Sequence, residues 1–379
     1  MKEEKNRIPC ICTLPLLPPV GQIYLEKVVA PVITSFIGNK TKTKYIVALN
    51  LLGPRMFNKN VIEKEFLVQK YLNALTDLKV EADIIWRDDK VNGLLITKFI
   101  TKLVSLGHIT SSIKEIERCD CGIVEMLYGV SDEKSNRSLF EARADGRFCQ
   151  VCKGKVKKHK EEVLLFKLPE VSKDIKAHPR FFEKELKQMA LKYSGKHFLI
   201  SKNRKTAIRF VFNGKEYGLD VDFVWQLYLV DLYEKGFLPQ VVVASSHNLM
   251  PYLFVLSLYK ILIGRKILFV VHPLFFSDKH QRLLGERFAL SKLISKFGAK
   301  SIRVWLASNI NWNRKSSSLN IRELSLLSKM DYRIHSSENN FATFESAISS
   351  INGQDLKKSL SLARRKKGDY YDINFSGVV

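Results

Sequence analysis

With 379 residues the chain is long enough to bury a sizeable core and to form two domains, or one large domain with insertions. Its 62 Lys and Arg exceed its 38 Asp and Glu, a net charge of +24 at pH 7, so polyanions are the favoured partners: nucleic acid first, an acidic membrane surface second. Six cysteines in this length are too few for a disulfide scaffold, which points to a reducing compartment. Residues 1–8 carry both signs of charge, and the apolar run after them is broken by Pro15, Pro18 and Pro19, so no signal peptide is expected. The longest apolar stretch, 248–263, is interrupted by Pro251 and Lys260 and falls short of a membrane span. The expectation is a soluble, cytoplasmic protein.

Residues 7–13 form an apolar run with strand character, in which Cys10 and Cys12, two apart, point into the core as small apolar side chains. A Pro- and Gly-containing turn over 13–27 leads into a helical pattern at 28–37. Such a strand-turn-helix presents backbone N–H groups where phosphates bind in α/β folds. Neither Gly-x-Gly-x-x-Gly nor Gly-x-x-x-x-Gly-Lys-Ser is present, so the common phosphate-cradling motifs do not apply. Residues 45–49 predict a buried strand. Ile62, Phe66, Leu67, Tyr71 and Leu72 mark one face of a helix over 61–75. A third strand at 82–86 and a helix at 91–106 follow. Strands separated by helices of this length imply a parallel sheet with crossover helices.

The composition changes between 109 and 168. Cys119-Asp120-Cys121 and Cys149-Gln150-Val151-Cys152 bracket a polar segment, and residues 129–148 have little core-forming periodicity. Two close cysteine pairs on two turns can converge on one tetrahedral Zn²⁺, stapling a segment that lacks a core of its own. With all four positions filled by protein the ion is structural. The alternative is four free thiols. The run Lys153, Lys155, Lys157, Lys158, His159 and Lys160 is either a solvated face or an edge that meets nucleic-acid phosphate.

Helical periodicity returns over 171–193, followed by a strand at 197–200 and a hairpin at 208–217 turning at Asn213-Gly214. A helix at 223–233, a strand at 241–245, a helix at 249–263 and a strand at 266–271 make a second βα half. Helices at 289–297 and 301–309 are separated by Gly298. Beyond 315, helical patterns at 319–329 and 341–350 precede a basic tail that includes Arg364-Arg365-Lys366-Lys367. The predicted fold class is α/β, a Rossmann-like doubly wound parallel sheet interrupted by a small zinc-binding insertion. The expected division is 1–108 and 169–315 for the two halves, 109–168 for the insertion, and 316–379 for a short helical segment and tail.

The stretch from Pro15 through Gly21 to Lys27, Pro-Leu-Leu-Pro-Pro-Val-Gly-Gln-Ile-Tyr-Leu-Glu-Lys, resembles the first signature of class I methionyl-tRNA synthetases. In that family a Thr-Pro-Ile-Tyr-Tyr-type segment leads to a Gly and then to His-Ile-Gly-His, which touches ATP. The resemblance runs in order over roughly residues 7–330. The cysteine-bearing insertion sits where the family has its zinc-binding connective domain. The segment 162–168 is similar to its Asn-Trp-Phe-Phe-Lys-Leu-type exit, and His178-Pro179-Arg180-Phe181-Phe182 to its His-Pro-x-Phe helix. Leu199-Ile200-Ser201-Lys202 looks like its Leu-Ser-Ile-Ser-Arg, and Val224-Trp225 like its Val-Trp-Phe-Asp-Ala. His272 matches the His of its His-Gly, and the segment 297–303 its Phe-Gly-x-Asp-x-x-Arg helix start.

Departures cluster where the family does its chemistry. The tetrad falls on Tyr24, Leu25, Glu26 and Lys27, so both imidazoles are gone and an acid fills the Gly position. The positions that help hold the substrate ammonium are Leu49 and Asn50, the Asp of Val-Trp-Phe-Asp falls on Leu227, and Gly-Lys-Asp becomes Ser245, Ser246 and His247. Lys-Met-Ser-Lys-Ser best matches residues 279–283, where Lys279 and Arg282 keep both cationic positions and can neutralise a triphosphate. The sequence stops about where the family's anticodon-binding bundle should begin.

The resemblance therefore implies a synthetase-like scaffold that binds an RNA, an amino-acid derivative or a protein without standard aminoacylation. The alternative is an active ATP-dependent ligase with rewired groups, in tRNA aminoacylation or small-molecule synthesis. Its candidate catalytic residues are Tyr24, Lys27, Lys279 and Arg282. Candidate ligand-binding residues are Pro15, Gly21, Glu26, Asn50, Trp225, His247 and His272, and candidate metal ligands are Cys119, Cys121, Cys149 and Cys152. The implied cofactors are structural Zn²⁺ and, for the ligase reading, ATP. The implied partners are tRNA or another nucleic acid, an amino acid or ATP, and no membrane.

Overall fold

A computed structural model describes residues 6–53, 56, 59–121, 140–150, 152–201, 207–246, 249–277, 288–310, 312, 314–319, 324–325, 327–328, 332–335 and 371–374. The first half alternates β1 (Ile8–Thr13), α1 (Val29–Thr41), β2 (Lys44–Leu49), α2 (Val61–Asp77), β3 (Ile84–Arg87) and α3 (Gly93–Ser105). The insertion contributes β4 (Ile109–Cys119), β5 (Phe140–Arg143), β6 (Gly146–Cys149) and β7 (Val156–Lys167). Then come β8 (Lys176–His178), α4 (Arg180–Tyr193), β9 (His197–Leu199), β10 (Ile208–Phe212) and β11 (Lys215–Leu219). The second half holds α5 (Val221–Val224), α6 (Tyr228–Glu234), β12 (Phe237–Ser245), α7 (Leu249–Ile263), β13 (Leu268–His272), β14 (Leu274–Ser277), α8 (Leu290–Phe297) and α9 (Ala299–Asn309). Strands β15 (Ser316–Leu319), β16 (Tyr332–His335) and β17 (Tyr371–Asn374) complete the described elements.

Six strands form one parallel sheet in the order β3-β2-β1-β12-β13-β8, and the chain reverses direction across the sheet between β1 and β12. This is the doubly wound arrangement predicted from the sequence. Alternation along β1 sorts the core into two layers. Cys10 and Cys12 face α3 and α5–α7, while Ile11 faces α1, α2, α8 and α9. Both cysteines are fully buried, 3.9 Å apart, as the period-two reading required. The run Val241-Val242-Val243-Ala244 is buried on both faces because helices cover both sides of a parallel sheet. Helix α7 is apolar nearly all round and accordingly buried. Its Pro251 falls in the first turn, where a missing N–H costs little. Helix α2 starts on a full capping box: Asn60 Oδ1 accepts from the Glu63 N–H, and Glu63 Oε2 from the Asn60 N–H, both at 2.9 Å. No helix among the described residues is long and apolar enough to cross a membrane.

Four elements differ from the sequence reading. The helical pattern over 171–193 holds a single 3₁₀ turn and strand β8 before α4 begins at Arg180. Pro179 is the reason: it bars the extension of the helix toward its N-terminus and pushes His178 into extended backbone, which pairs with β13 as the sheet edge. Strand β9 pairs with β7 of the insertion rather than with the parallel sheet. The helix expected over 223–233 is split by a 3₁₀ turn at Trp225–Leu227. Inside the insertion, β4 and β7 form an antiparallel ribbon of eleven paired positions, from Ile109↔Phe166 to Cys119↔Val156. Its outer half lacks apolar alternation because cross-strand charges replace it: Lys158–Glu115 at 2.9 Å, Lys157–Asp120 at 3.1 Å and Arg118–Glu161 at 2.5 Å. The expected helices at 319–329 and 341–350 and the basic tail fall wholly or mainly outside the described residues.

Candidate functional site

In doubly wound sheets a ligand sits beyond the carboxyl ends of the strands, at the switch point. That point lies between β1 and β12, where the loops starting at Leu14 and Ser246 leave in opposite directions. Residues Leu14–Leu17 continue beside β2: the Leu16 N–H donates to the Ala48 carbonyl and the Asn50 N–H to the Leu16 carbonyl, both at 2.8 Å. This brings Pro15 and Asn50 together at the mouth. Asn50 Oδ1 in turn accepts from the Gly53 N–H at 2.9 Å, closing a tight turn. On the far side Ser245 is paired with His272, and His272 Nδ1 lies 2.9 Å from the Pro273 carbonyl.

The turn bearing Tyr24, Glu26 and Lys27 is anchored by backbone. Residues 25–27 form a 3₁₀ turn immediately before α1. Tyr24 is bridged to Ala289, and the Leu290 N–H donates to the Ile23 carbonyl at 2.8 Å. Helix α2 holds the other side, with the Tyr71 hydroxyl donating to the Lys27 carbonyl at 2.6 Å and Lys70 Nζ to the Gly21 carbonyl at 2.9 Å. Leu25 is fully buried. Glu26 stands two residues ahead of the α1 N-cap, Val28, which supplies no side-chain cap. One carboxylate oxygen of Glu26 is buried and has no hydrogen-bond partner. Trp225 is in the core at 7 % exposure. His247, Lys279 and Arg282 lie outside the described residues.

Two groups at this edge carry shifted acidities. Asp88, directly after β3, is 1 % exposed and accepts from the Leu51 N–H at 2.6 Å and the Leu52 N–H at 3.3 Å. Burial pushes its carboxyl up to about 7. Asp88 thereby ties down the loop that carries Asn50. Sequence reading missed it, although an acid directly after an apolar strand is a visible signal. His178, at the end of β8, packs edge-on to Trp312 with ring centroids 4.9 Å apart, and burial lowers its imidazole to about 4, so it is neutral at pH 7.

At the tip of the ribbon the sequence-predicted cysteines meet. The Sγ atoms of Cys119, Cys121, Cys149 and Cys152 all lie within 4.8 Å of one another, with Cys119–Cys152 at 3.2 Å and Cys121–Cys149 at 3.7 Å. A tetrahedral ion with metal–sulfur bonds of about 2.3 Å requires S···S separations of about 3.8 Å, so the donor set fits one metal ion. The Lys153 N–H donates to the Cys149 carbonyl and the Cys149 N–H donates to the Gly154 carbonyl, both at 2.9 Å. A Cβ at Gly154 would stand 3.3 Å from Cys152 Sγ, so glycine lets the turn close on the sulfurs. The Cys119 thiol and then the Gly154 N–H lower the Cys152 thiol to about 7, favouring the thiolate a metal needs.

No protein-family profile matches the sequence, and none of the curated proteins is similar to it in sequence. Solved structures are similar in fold. A Mycobacterium tuberculosis methionyl-tRNA synthetase bound by methionyl-adenylate superposes with a TM-score of 0.64 at 8 % identity, over 95 % of this chain and 72 % of that one. A second structure of that enzyme with methionyl-adenylate gives 0.63 at 10 % identity, over 94 % and 72 %. Its apo form gives 0.58 at 12 % identity, over 95 % and 68 %. The chain has the class I methionyl-tRNA synthetase fold. At such identities the likeness is one of architecture, and it covers the parallel sheet and the cysteine-tipped insertion together. The Tyr24–Lys27 turn of this chain stands directly before α1, beside the switch point.

Proposed function

We propose that this chain is a methionyl-tRNA synthetase-like binding protein that has given up standard ATP-dependent aminoacylation and keeps the scaffold to hold an RNA, an amino-acid derivative or a protein. The reading rests on Glu26. A helix start at a switch point attracts phosphate through its free N–H groups and partial positive charge. This chain puts a carboxylate of its own two residues ahead of the α1 N-cap, with one oxygen buried and unpartnered. A like charge there opposes a triphosphate, and neither imidazole of the resembled tetrad is present to offset it. Removing one such transition-state donor typically costs about 3 to 4 kcal/mol, and several lost together leave little activation.

In the same proposal the four cysteines hold a structural Zn²⁺, whose four protein thiolates leave no open position for substrate. The ion would replace the apolar core that the tip of the ribbon lacks. Residues 109–168 then serve as a connective insertion between the two halves of the sheet, and Pro15, Asn50 and His272 line the retained mouth.

Thermal-shift measurements on the metal-loaded full chain test the reading, because any ligand of the native state raises Tm by mass action. The expected result is a rise with tRNA or with a non-hydrolysable aminoacyl-adenylate, and no rise with Mg-ATP that an amino acid enhances. A saturable rise with Mg-ATP that a cognate amino acid enhances would favour the rewired ligase.

A further inference from the structure

The edge of the sheet opposite the switch point carries a polar cavity of about 590 Å³. It is lined by the end of α1 (Gly38, Asn39), the start of β2 (Lys42, Lys44, Tyr45) and the segment before β3 (Lys79, Glu81, Asp83). We propose that this basal cavity is a binding site for a small phosphate-bearing anion, held by Lys42, Lys79 and Arg303, and separate from the switch-point ligand.

Backbone conformation carries the first part of the case. Four described residues other than glycine have positive φ, and two of them, Lys42 at 51° and Lys79 at 58°, line this cavity. Each terminates a helix in left-handed backbone, a position where glycine is the usual residue because an L side chain adopts that conformation at a cost. Two strained corners that both carry lysine, and both face one cavity, indicate that the amines are used. Gly38, by contrast, is required by space: a Cβ there would stand 3.0 Å from the Tyr45 ring and 3.1 Å from the Thr43 carbonyl.

Charge carries the second part. Asp83 is already committed, accepting from Lys44 Nζ at 2.6 Å and from the Tyr45 N–H at 3.0 Å. No ion pair within 4.0 Å joins Glu81 to Lys42 or Lys79 among the described residues. Behind the rim, Arg303 of α9 lies over the Phe36 ring at 5.0 Å and donates to the Lys79 carbonyl at 3.5 Å, while its Nε is buried without a partner. Burial pushes the pKa of this guanidinium down from its ordinary value. The ends of α1 and α2 together supply about one negative charge and Glu81 a second, which balance Lys42 and Lys79 and leave the Arg303 guanidinium in excess. A phosphate supplies the remainder and accepts charge-assisted hydrogen bonds from amines and guanidinium alike. The cavity volume is of the size that takes a nucleotide or a smaller phosphorylated metabolite.

Titration calorimetry on the full chain at fixed ionic strength, with inorganic pyrophosphate as probe and sulfate as control, tests the proposal. Saturable pyrophosphate binding is expected, weakened at least tenfold in the Lys42→Gly/Lys79→Gly double variant and retained in Lys42→Arg/Lys79→Arg. Because glycine suits both corners, the double-glycine variant should melt no lower than the parent. ATP competing with pyrophosphate would identify the source as a nucleotide, and failure of ATP to compete would identify a smaller phosphate compound; either accords with the site. Absent binding, equal binding in the double-glycine variant, or a Tm several degrees lower in that variant overturns it, the last by showing that the lysines serve the helix ends. A Glu26→Gly substitution at the opposite edge should leave pyrophosphate affinity at this cavity unchanged, which separates the outcome from that of the switch-point reading.

Discussion

The switch-point mouth and the tip of the ribbon are built differently on one scaffold. At the mouth the turn over residues 24–27 is held by the Tyr24–Ala289 bridge, the Tyr71 hydroxyl and buried Leu25, none of which depends on the side chains at 26 and 27. Its geometry therefore persists while its outward chemistry is free to change. At the ribbon tip the side chains are the structure. Four sulfurs stand within 4.8 Å of one another beneath a hairpin whose apolar cluster consists of Cys119, Phe140 and Cys149 with Val156 packed against it. On the proposed metal site, losing one ligand removes the fold of the segment along with the site.

The sharpest way to break the contrast is to remove the metal. One equivalent of metal per chain is expected by elemental analysis, and Cys149→Ser should abolish it. Structural zinc is worth on the order of 10 kcal/mol in small sites. Chelation should therefore collapse amide protection across 140–156 in hydrogen exchange and leave β1, β12 and β13 protected. Uniform loss across both regions would show that the ribbon and the sheet form one cooperative unit. Next in size is Phe166, fully buried where the ribbon meets the core, with the Phe223 and Phe254 rings 5.5 and 5.8 Å away. Phe166→Ala should cost about 3 to 5 kcal/mol in denaturant unfolding, a value typical of a large buried aromatic.

Asp88 gives a smaller effect with a distinct pH signature. Its carboxyl stands at about 7 in the native state against 3.8 ordinarily, so the native protein binds the extra proton between those values. Stability therefore falls as pH rises from about 4 to about 7 and levels off above. Asp88→Asn should gain on the wild type across that window, by a few kcal/mol at most. A parallel pair of pH profiles would show that the carboxyl is not buried as described. Smallest of all, Glu26→Gly should strengthen Mg-ATP binding by roughly tenfold, about 1.4 kcal/mol, through removal of a like charge. No change would remove Glu26 from the account.

Much of the sheet is legible in the sequence because its central strands are continuous apolar runs and its helices carry one-sided periodicity. The cysteine cluster is legible because metal-ligand spacing is a local property. Strand β8 is not legible: three residues ahead of Pro179 have no pattern of their own, and only the open edge of β13 makes them a strand. The outer ribbon escapes for another reason, since Lys157, Lys158 and Arg118 pair with Asp120, Glu115 and Glu161 across the ribbon instead of displaying an apolar face. Asp88 shows the same limit at the site: its burial comes from the loop at Leu51 and Leu52, thirty-odd positions away in sequence.

The central claim is that the scaffold has outlived its activation chemistry. Amino-acid-dependent exchange of pyrophosphate into ATP, run on metal-loaded full-length protein with each of the common amino acids and saturating Mg²⁺, tests it most directly. The account predicts no exchange above background with any of them. Exchange with one amino acid, lost on substitution of Lys27, would contradict it and establish a working ligase with rewired groups.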